Sequence, residues 1–159
     1  NGKLHRSGSP AEIYYDQSGR KLQETFYCDG LEHRDGGLPS TTCFDPETGV
    51  LHTQLWKISG LAHRENNLPS DIVRSVETGL IVLERYCFMG ALHRSDGGPS
   101  VRVSRSDGTL EREEWFDMGH RHRPVGPSVV KYAEDGSSVR SVECYHYGKR
   151  KEESPNCRP

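Results

Sequence analysis

Gly90-Ala91-Leu92-His93-Arg94-Ser95-Asp96-Gly97-Gly98-Pro99 decides the reading of this chain, because its frame recurs along the whole sequence. A Gly is followed three residues later by His-Arg and, a few residues on, by Pro. The other instances open at Gly2-Lys3-Leu4-His5-Arg6, Gly30-Leu31-Glu32-His33-Arg34, Gly60-Leu61-Ala62-His63-Arg64 and Gly119-His120-Arg121-His122-Arg123. Gly148 opens a degenerate sixth copy with Lys151-Glu152 in place of His-Arg. Successive glycines are 28, 30, 30, 29 and 29 residues apart. A fixed period of this size marks an array whose units bury a core only by stacking on their neighbours.

Around each motif three further features keep phase. A polar, Gly-rich loop runs from His-Arg to Pro10, Pro39, Pro69, Pro99 or Pro127, and a short β-type segment follows, as in Val101-Arg102-Val103-Ser104. A second glycine (Gly19, Gly49, Gly79, Gly108, Gly136) then marks a turn, with Asp107-Gly108 and Asp135-Gly136 reading as hairpin dipeptides. A second segment returns to the next motif and carries a bulky residue four positions before its glycine: Phe26, Trp56, Tyr86, Trp115, then Cys144. Two phased glycines and a proline per unit exclude long helices. Leu110–Phe116 reads as helical in isolation, but its phase with the other copies makes it a strand. The expected fold is all-β, an elongated array of stacked antiparallel β-hairpins. Its units span 2–29, 30–59, 60–89, 90–118 and 119–147, with 148–159 as a degenerate cap or tail. Two strands per unit at about 4.8 Å each give about 10 Å of advance per repeat.

Composition agrees with a thin stack. Only 32% of the 159 residues are hydrophobic, too few for a large spherical core. With 21 basic and 23 acidic side chains the chain is no polycation, which excludes general nucleic-acid or membrane coating. Its basic set is mostly Arg, the cation suited to fixed planar pairing. Five cysteines out of step with the repeat argue against a disulfide framework and for a reducing, cytoplasmic setting. No apolar run approaches a membrane span. The chain opens at Asn1, inside a motif and without an initiator Met, so a preceding segment is expected.

On Asn1–Arg6, on Leu92-His93-Arg94-Ser95-Asp96-Gly97-Gly98-Pro99 and on the phased glycines and aromatics, the chain resembles MORN-type repeat proteins. The closest variant is the one found in bacterial, phage and giant-virus proteins. The Tyr-x-Gly-x-Trp of the ordinary, shorter unit is absent. The resemblance implies an interaction scaffold without catalytic residues, in some members for membranes or phosphoinositides.

The candidate site residues are the motif pairs His5/Arg6, His33/Arg34, His63/Arg64, His93/Arg94 and His122/Arg123, and the aromatics Phe26, Trp56, Tyr86 and Trp115. Metal ligands must converge on one ion. Equivalent histidines one repeat apart do not, so each His is expected to hydrogen-bond backbone in its own loop. Each Arg is expected to pair with the residue six before the motif glycine (Glu24, Gln54, Glu84, Glu113). The alternative is an exposed Arg row that reads an acidic partner or phosphates. The aromatics read as a core stripe or, if they face water, as a docking surface. His120–Arg123 and Lys149–Lys151 read as a solvated basic end or a local nucleic-acid contact. No Cys-x-x-Cys pair, activated nucleophile or phosphate-cradling loop is present. Neither metal nor cofactor is expected. The function expected is a non-catalytic protein-binding scaffold, of the kind met in inhibitors or antitoxin-like partners from phages and mobile elements. The alternative is a binder of anionic ligands, phosphoinositide membranes or nucleic acid through the Arg rows.

Overall fold

Segments broken every few residues by glycine or proline leave room only for short strands. The computed structural model of the chain describes residues 2–151 and residue 157. Among these there is no helix, and ten strands lie in one antiparallel sheet in strict chain order. They are Glu12–Tyr15, Lys21–Thr25, Thr41–Phe44, Leu51–Leu55, Asp71–Arg74, Ile81–Arg85, Val101–Ser104, Leu110–Glu114, Val129–Tyr132 and Val139–Glu143. At about 4.8 Å per step the sheet is about 45 Å across. Five hairpins of two-residue strands follow alternate strands of the sheet. They pair Tyr27–Cys28 with Leu31–Glu32, Lys57–Ile58 with Leu61–Ala62, Cys87–Phe88 with Ala91–Leu92, Phe116–Asp117 with His120–Arg121, and Tyr145–His146 with Lys149–Arg150. The fold is the expected all-β array of stacked hairpins, with two hairpins per unit rather than one.

The two glycine phases build two different turns. At the long hairpins a single left-handed glycine closes the turn, such as Gly108 at φ 87°, and the ladder slips by a residue beside it, as between Val103 and Ser104. An aspartate pins most of these turns. Asp16 accepts the Ser18 and Arg20 N–H groups at 2.8 and 2.9 Å, and Asp135 accepts those of Ser137 and Ser138 at 2.9 and 2.8 Å. At the motif glycines both turn residues have positive φ, as in Met118 (44°) and Gly119 (85°), which is the two-residue type I′ turn. The motif glycine is thus the tip of the second hairpin. A cut at these glycines runs through the turn, so each short hairpin joins two consecutive units.

The core is a seam where the sheet meets these hairpins. Phe26, Trp56, Tyr86, Trp115 and Cys144 are buried along it, with Ile72, Val101 and Val129. The serine that follows the loop proline (Ser40, Ser70, Ser100, Ser128) is fully buried in four units. Ser70 N–H donates to the Arg85 carbonyl at 2.8 Å, its carbonyl accepts the Trp56 N–H at 2.7 Å, and its hydroxyl donates to Arg85 again at 3.3 Å. A larger side chain has no space there, and an apolar one leaves a bond unmade. The exposed area, 9493 Å², exceeds the roughly 8,000 Å² of a compact monomer of this mass, as a stack with a linear core requires.

The reading of the cysteines is corrected. Cys144 and Cys157 form a disulfide, and Cys28, Cys43 and Cys87 are free. Cys144 stands in the aromatic's place in the one unit whose motif has lost its Arg, so a covalent bond holds the position where a guanidinium lies elsewhere. A disulfide persists under oxidising conditions, which removes the support for a reducing compartment. Apart from Cys157, the tail from Glu152 onward and Asn1 lie outside the described residues. Among the described residues no helix is long and apolar enough to cross a membrane.

Two measurements check this account. Opening the 13-residue separation between Cys144 and Cys157, by reduction or by Cys144→Ser, is expected to lower stability by about 2–4 kcal/mol in urea denaturation. Equal midpoints for oxidised and reduced protein would contradict it. The turn aspartates supply a pH dependence. The Ser138 hydroxyl and the Ser137 and Ser138 N–H groups hold Asp135 at about 2, and the Ser18, Thr48 and Thr109 groups hold Asp16, Asp45 and Asp107 below their ordinary value. Carboxylates lowered in the folded state stabilise it above their unfolded value, and that contribution is lost as pH falls through the folded value. The thermal midpoint should therefore decline between about pH 4 and pH 2, and less steeply in Asp135→Asn. A decline of the same slope in the variant would exclude the turn as its source.

Candidate functional site on the His-Arg loop face

In four of the five His-Arg motifs the Arg guanidinium lies over an aromatic ring. The guanidinium carbon sits 3.7 Å from the ring centre of Phe26 for Arg34, 3.8 Å from Trp56 for Arg64, 4.1 Å from Tyr86 for Arg94 and 3.8 Å from Trp115 for Arg123. Each also donates to the carbonyl of its loop proline: Arg34 to Pro39 and Arg64 to Pro69 at 3.3 Å, Arg94 to Pro99 at 3.4 Å and Arg123 to Pro127 at 3.1 Å. Arg6, with no ring ahead of it in the described chain, keeps only the Pro10 carbonyl at 3.5 Å. Burial pulls the Arg64 and Arg123 guanidinium groups below their ordinary value. The expected pairing with Glu24, Gln54, Glu84 and Glu113 is not formed. Glu24 holds Lys21 at 2.7 Å, while Glu113 holds Arg102 at 3.0 Å and the Tyr132 hydroxyl at 2.9 Å. Those carboxylates stay on the sheet, whereas the chain leaves the sheet at the aromatic and carries the Arg onto the hairpin.

The His ladder also bonds differently from expectation. The backbone N–H of His33, His63, His93 and His122 closes its own hairpin on the aromatic's carbonyl, as His63 does on Trp56 at 3.0 Å. The ring, however, reaches the turn of the next short hairpin. His5, His33, His63 and His93 accept on Nδ1 the backbone N–H of Asp29, Ser59, Met89 and Met118, at 3.2, 3.4, 3.4 and 3.5 Å. The donating partner is the first residue of the following type I′ turn, not the His-Arg loop itself. A parallel main-chain bond runs from each motif glycine to the preceding unit, as Gly60 N–H to Glu32 O and Gly90 N–H to Ala62 O, both 2.8 Å. His122 departs from the set. It stacks on Tyr147 with ring centres 4.1 Å apart, and its Nδ1 is buried without a partner among the described residues.

Phe26, Trp56, Tyr86 and Trp115 form no exposed docking row, because loop and Arg cover them from both sides. Trp56 Nε1 donates to Gly37 O at 2.9 Å and Trp115 Nε1 to Gly97 O at 3.1 Å. Phe26, Trp56 and Tyr86 instead contribute to the floor of open grooves between consecutive loops. The first groove, about 420 Å³, lies among Arg6, Phe26, Arg34 and Leu38. The second, about 360 Å³, lies among Arg34, Trp56, Arg64 and Leu68. A third of about 220 Å³ adds Tyr86, Phe88 and Met118, and a last of about 310 Å³ lies among His122, Arg123, Tyr145 and His146. Leu38, Leu68, Phe88 and Met118 on the rims are about half exposed. Carboxylates stand beside the arginines: Asp35 and Glu65 line the second groove, and Asp96 grips Arg94 at 2.8 Å. The C-terminal groove lacks such an acid, and its basic run is only partly free, since Arg121 pairs with Glu114 at 2.9 Å.

Sequence reasoning missed the hairpin-tip residues. Ser59, Met89, Met118 and Tyr147 hold positive φ without being Gly, Asn or Asp, and Met89, Met118 and Tyr147 are exposed there. Such backbone costs about 1–2 kcal/mol per residue. The only signal available was their fixed place before the motif glycine.

Comparison with protein-family models, with curated proteins and with solved structures finds no match.

The stack itself is testable. In a Trp115→Phe background that leaves Trp56 as the sole indole, Arg64→Ala should raise quenching of Trp56 by acrylamide and cost about 1–2 kcal/mol in denaturation. Arg64→Lys should restore little of the shielding, because an ammonium has no plane to lay on the ring. Unchanged quenching in Arg64→Ala would remove the stack as a closing contact.

Proposed function

We propose that the chain is a non-catalytic, MORN-type scaffold that binds an extended segment of another protein along its loop face. The observation that carries this reading is the row of grooves between successive loops. The first three have a ring or guanidinium floor and an apolar rim, and adjacent units repeat the arrangement at about 10 Å. An extended peptide advances about 10 Å in three residues, so side chains three apart meet equivalent grooves in turn. The rims differ between grooves, with Leu38 and Leu68 at the second and Leu68, Phe88 and Met118 at the third, which supplies specificity without altering the scaffold. A half-exposed apolar row edged by polar loops is the usual composition of a recognition surface. Masking a partner's surface, as inhibitors and antitoxin-like proteins do, is a role such a scaffold fills without chemistry of its own.

The reading through Arg rows has less support. The guanidinium planes of Arg34, Arg64, Arg94 and Arg123 are committed to rings and proline carbonyls, and acids stand beside three of them.

Leu68→Glu and Phe88→Glu should abolish retention of the partner identified by crosslinking on the wild-type chain. Tyr14→Glu, at the opposite end of the strands, should leave it intact. Binding should weaken less than tenfold between 50 and 500 mM salt, roughly the range over which surface charge pairs are screened. Retention by both groove variants, or a steep loss with salt, would transfer the function to the charged residues.

A further inference from the structure

We propose that His5, Cys28 and Asp29 form a site for a borderline-soft divalent cation of the zinc type. The inference does not rest on the docking reading. It follows from the contact between units: the ring of each motif His meets the turn of the next hairpin, so the two residues before the next motif glycine are delivered to an imidazole. At later junctions those residues are Ile58 and Ser59, Phe88 and Met89, Asp117 and Met118, and His146 and Tyr147. Among the described residues only the first junction delivers a thiol and a carboxylate together. One donor atom from each of His5, Cys28 and Asp29 lies within 4.8 Å of the others, and His5 Nδ1 is 3.6 Å from Asp29 Oδ1.

Zinc bonds of about 2.3 Å to sulfur and 2.0 Å to nitrogen or oxygen place tetrahedral donors about 3.3–3.5 Å apart. The His–Asp separation of 3.6 Å needs to close by only about 0.3 Å to meet this, and the thiol is on an exposed residue with room to rotate inward. The backbone is held in advance. Asp29 and Gly30 occupy the type I′ turn at φ 51° and 86°, and Gly30 N–H donates to Leu4 O at 2.8 Å, tying the His5 segment to the hairpin tip. The bond that His5 accepts from Asp29 N–H is 3.2 Å, long enough for a metal–imidazole bond to displace it. Thiolate and imidazole select zinc, cobalt or copper over magnesium and calcium, which require all-oxygen cages. Three protein donors leave a fourth position open to water or to a ligand from a bound partner, as in zinc sites that are not purely structural. Binding releases the Cys28 thiol proton, so affinity rises with pH.

The test uses cobalt(II) as a spectroscopic substitute, added to the metal-free chain with its disulfide intact. The expected result is a thiolate-to-cobalt charge-transfer band with intense visible absorption, saturating at one metal per chain and bleached by zinc. Cys28→Ser, an exposed tip change that should leave the circular dichroism spectrum unchanged, is expected to abolish the charge-transfer band. Asp29→Asn should weaken cobalt binding roughly tenfold or more. Burial pushes the Cys43 and Cys87 thiols up, and Cys43→Ser and Cys87→Ser should retain the band. Three results would each overturn the proposal: no band in the wild type, a band that survives Cys28→Ser, or a stoichiometry of two chains per metal.

Discussion

The structure depends on a guanidinium laid over an aromatic ring. A sheet with one linear seam of apolar residues has too little depth to bury large rings among other apolar side chains. An Arg solves this from both sides. Its plane covers the ring as a hydrophobic lid would, while its N–H groups reach the proline carbonyl that ends the loop. One side chain thus shields the core, fixes the loop and satisfies a peptide group. Lysine shares the charge but lacks the plane and the fork. The terminal unit shows the same requirement met otherwise: where ring and Arg are both absent, a disulfide joins Cys144 to Cys157.

Stacking is the second constraint, and main-chain atoms carry most of it. The glycine N–H to the preceding unit, and the ring nitrogen that accepts the next turn's N–H, use groups that do not depend on the neighbouring side chains. Only the glycine and the histidine are prescribed at this interface. The two residues before the glycine are chemically unlike from unit to unit, from the exposed Cys28 and Asp29 to the exposed Phe88 and Met89. Diversity along the face therefore costs the array little.

Much of this was legible in the sequence. The period, the turn glycines and the buried phase of Phe26, Trp56, Tyr86 and Trp115 follow from spacing alone, because a glycine every 15 residues or so leaves few alternatives to hairpins. What was illegible has physical causes. The hairpin at the motif glycine was hidden because Met89, Met118 and Tyr147 are unusual at its first position. Ser70 and its equivalents read as loop residues, since nothing local distinguishes a serine buried with its hydroxyl satisfied from one in water. The partner of Arg was misjudged because Glu24 and Glu84 share its phase but remain on the sheet after the chain has turned away. The partner of His lies 24 to 26 residues on, beyond any local reasoning.

The strained tips bear on what the face is for. A glycine or asparagine before each motif glycine would relieve the backbone at Met89, Met118 and Tyr147, and it would do so without touching the stack beneath. The chain instead places large side chains at these points; Tyr147 stacks on His122, whereas Met89 and Met118 are exposed without a ring contact among the described residues. Backbone strain that persists without a packing return is characteristic of positions set by recognition rather than by folding. The same turns bring Phe88 between His63 and His93, with ring centres 5.2 and 6.4 Å away, so the exposed ring is held in place before any partner arrives. A side chain ordered in advance loses less entropy on binding. The stack is therefore a rigid frame whose unfavourable details gather on a single face.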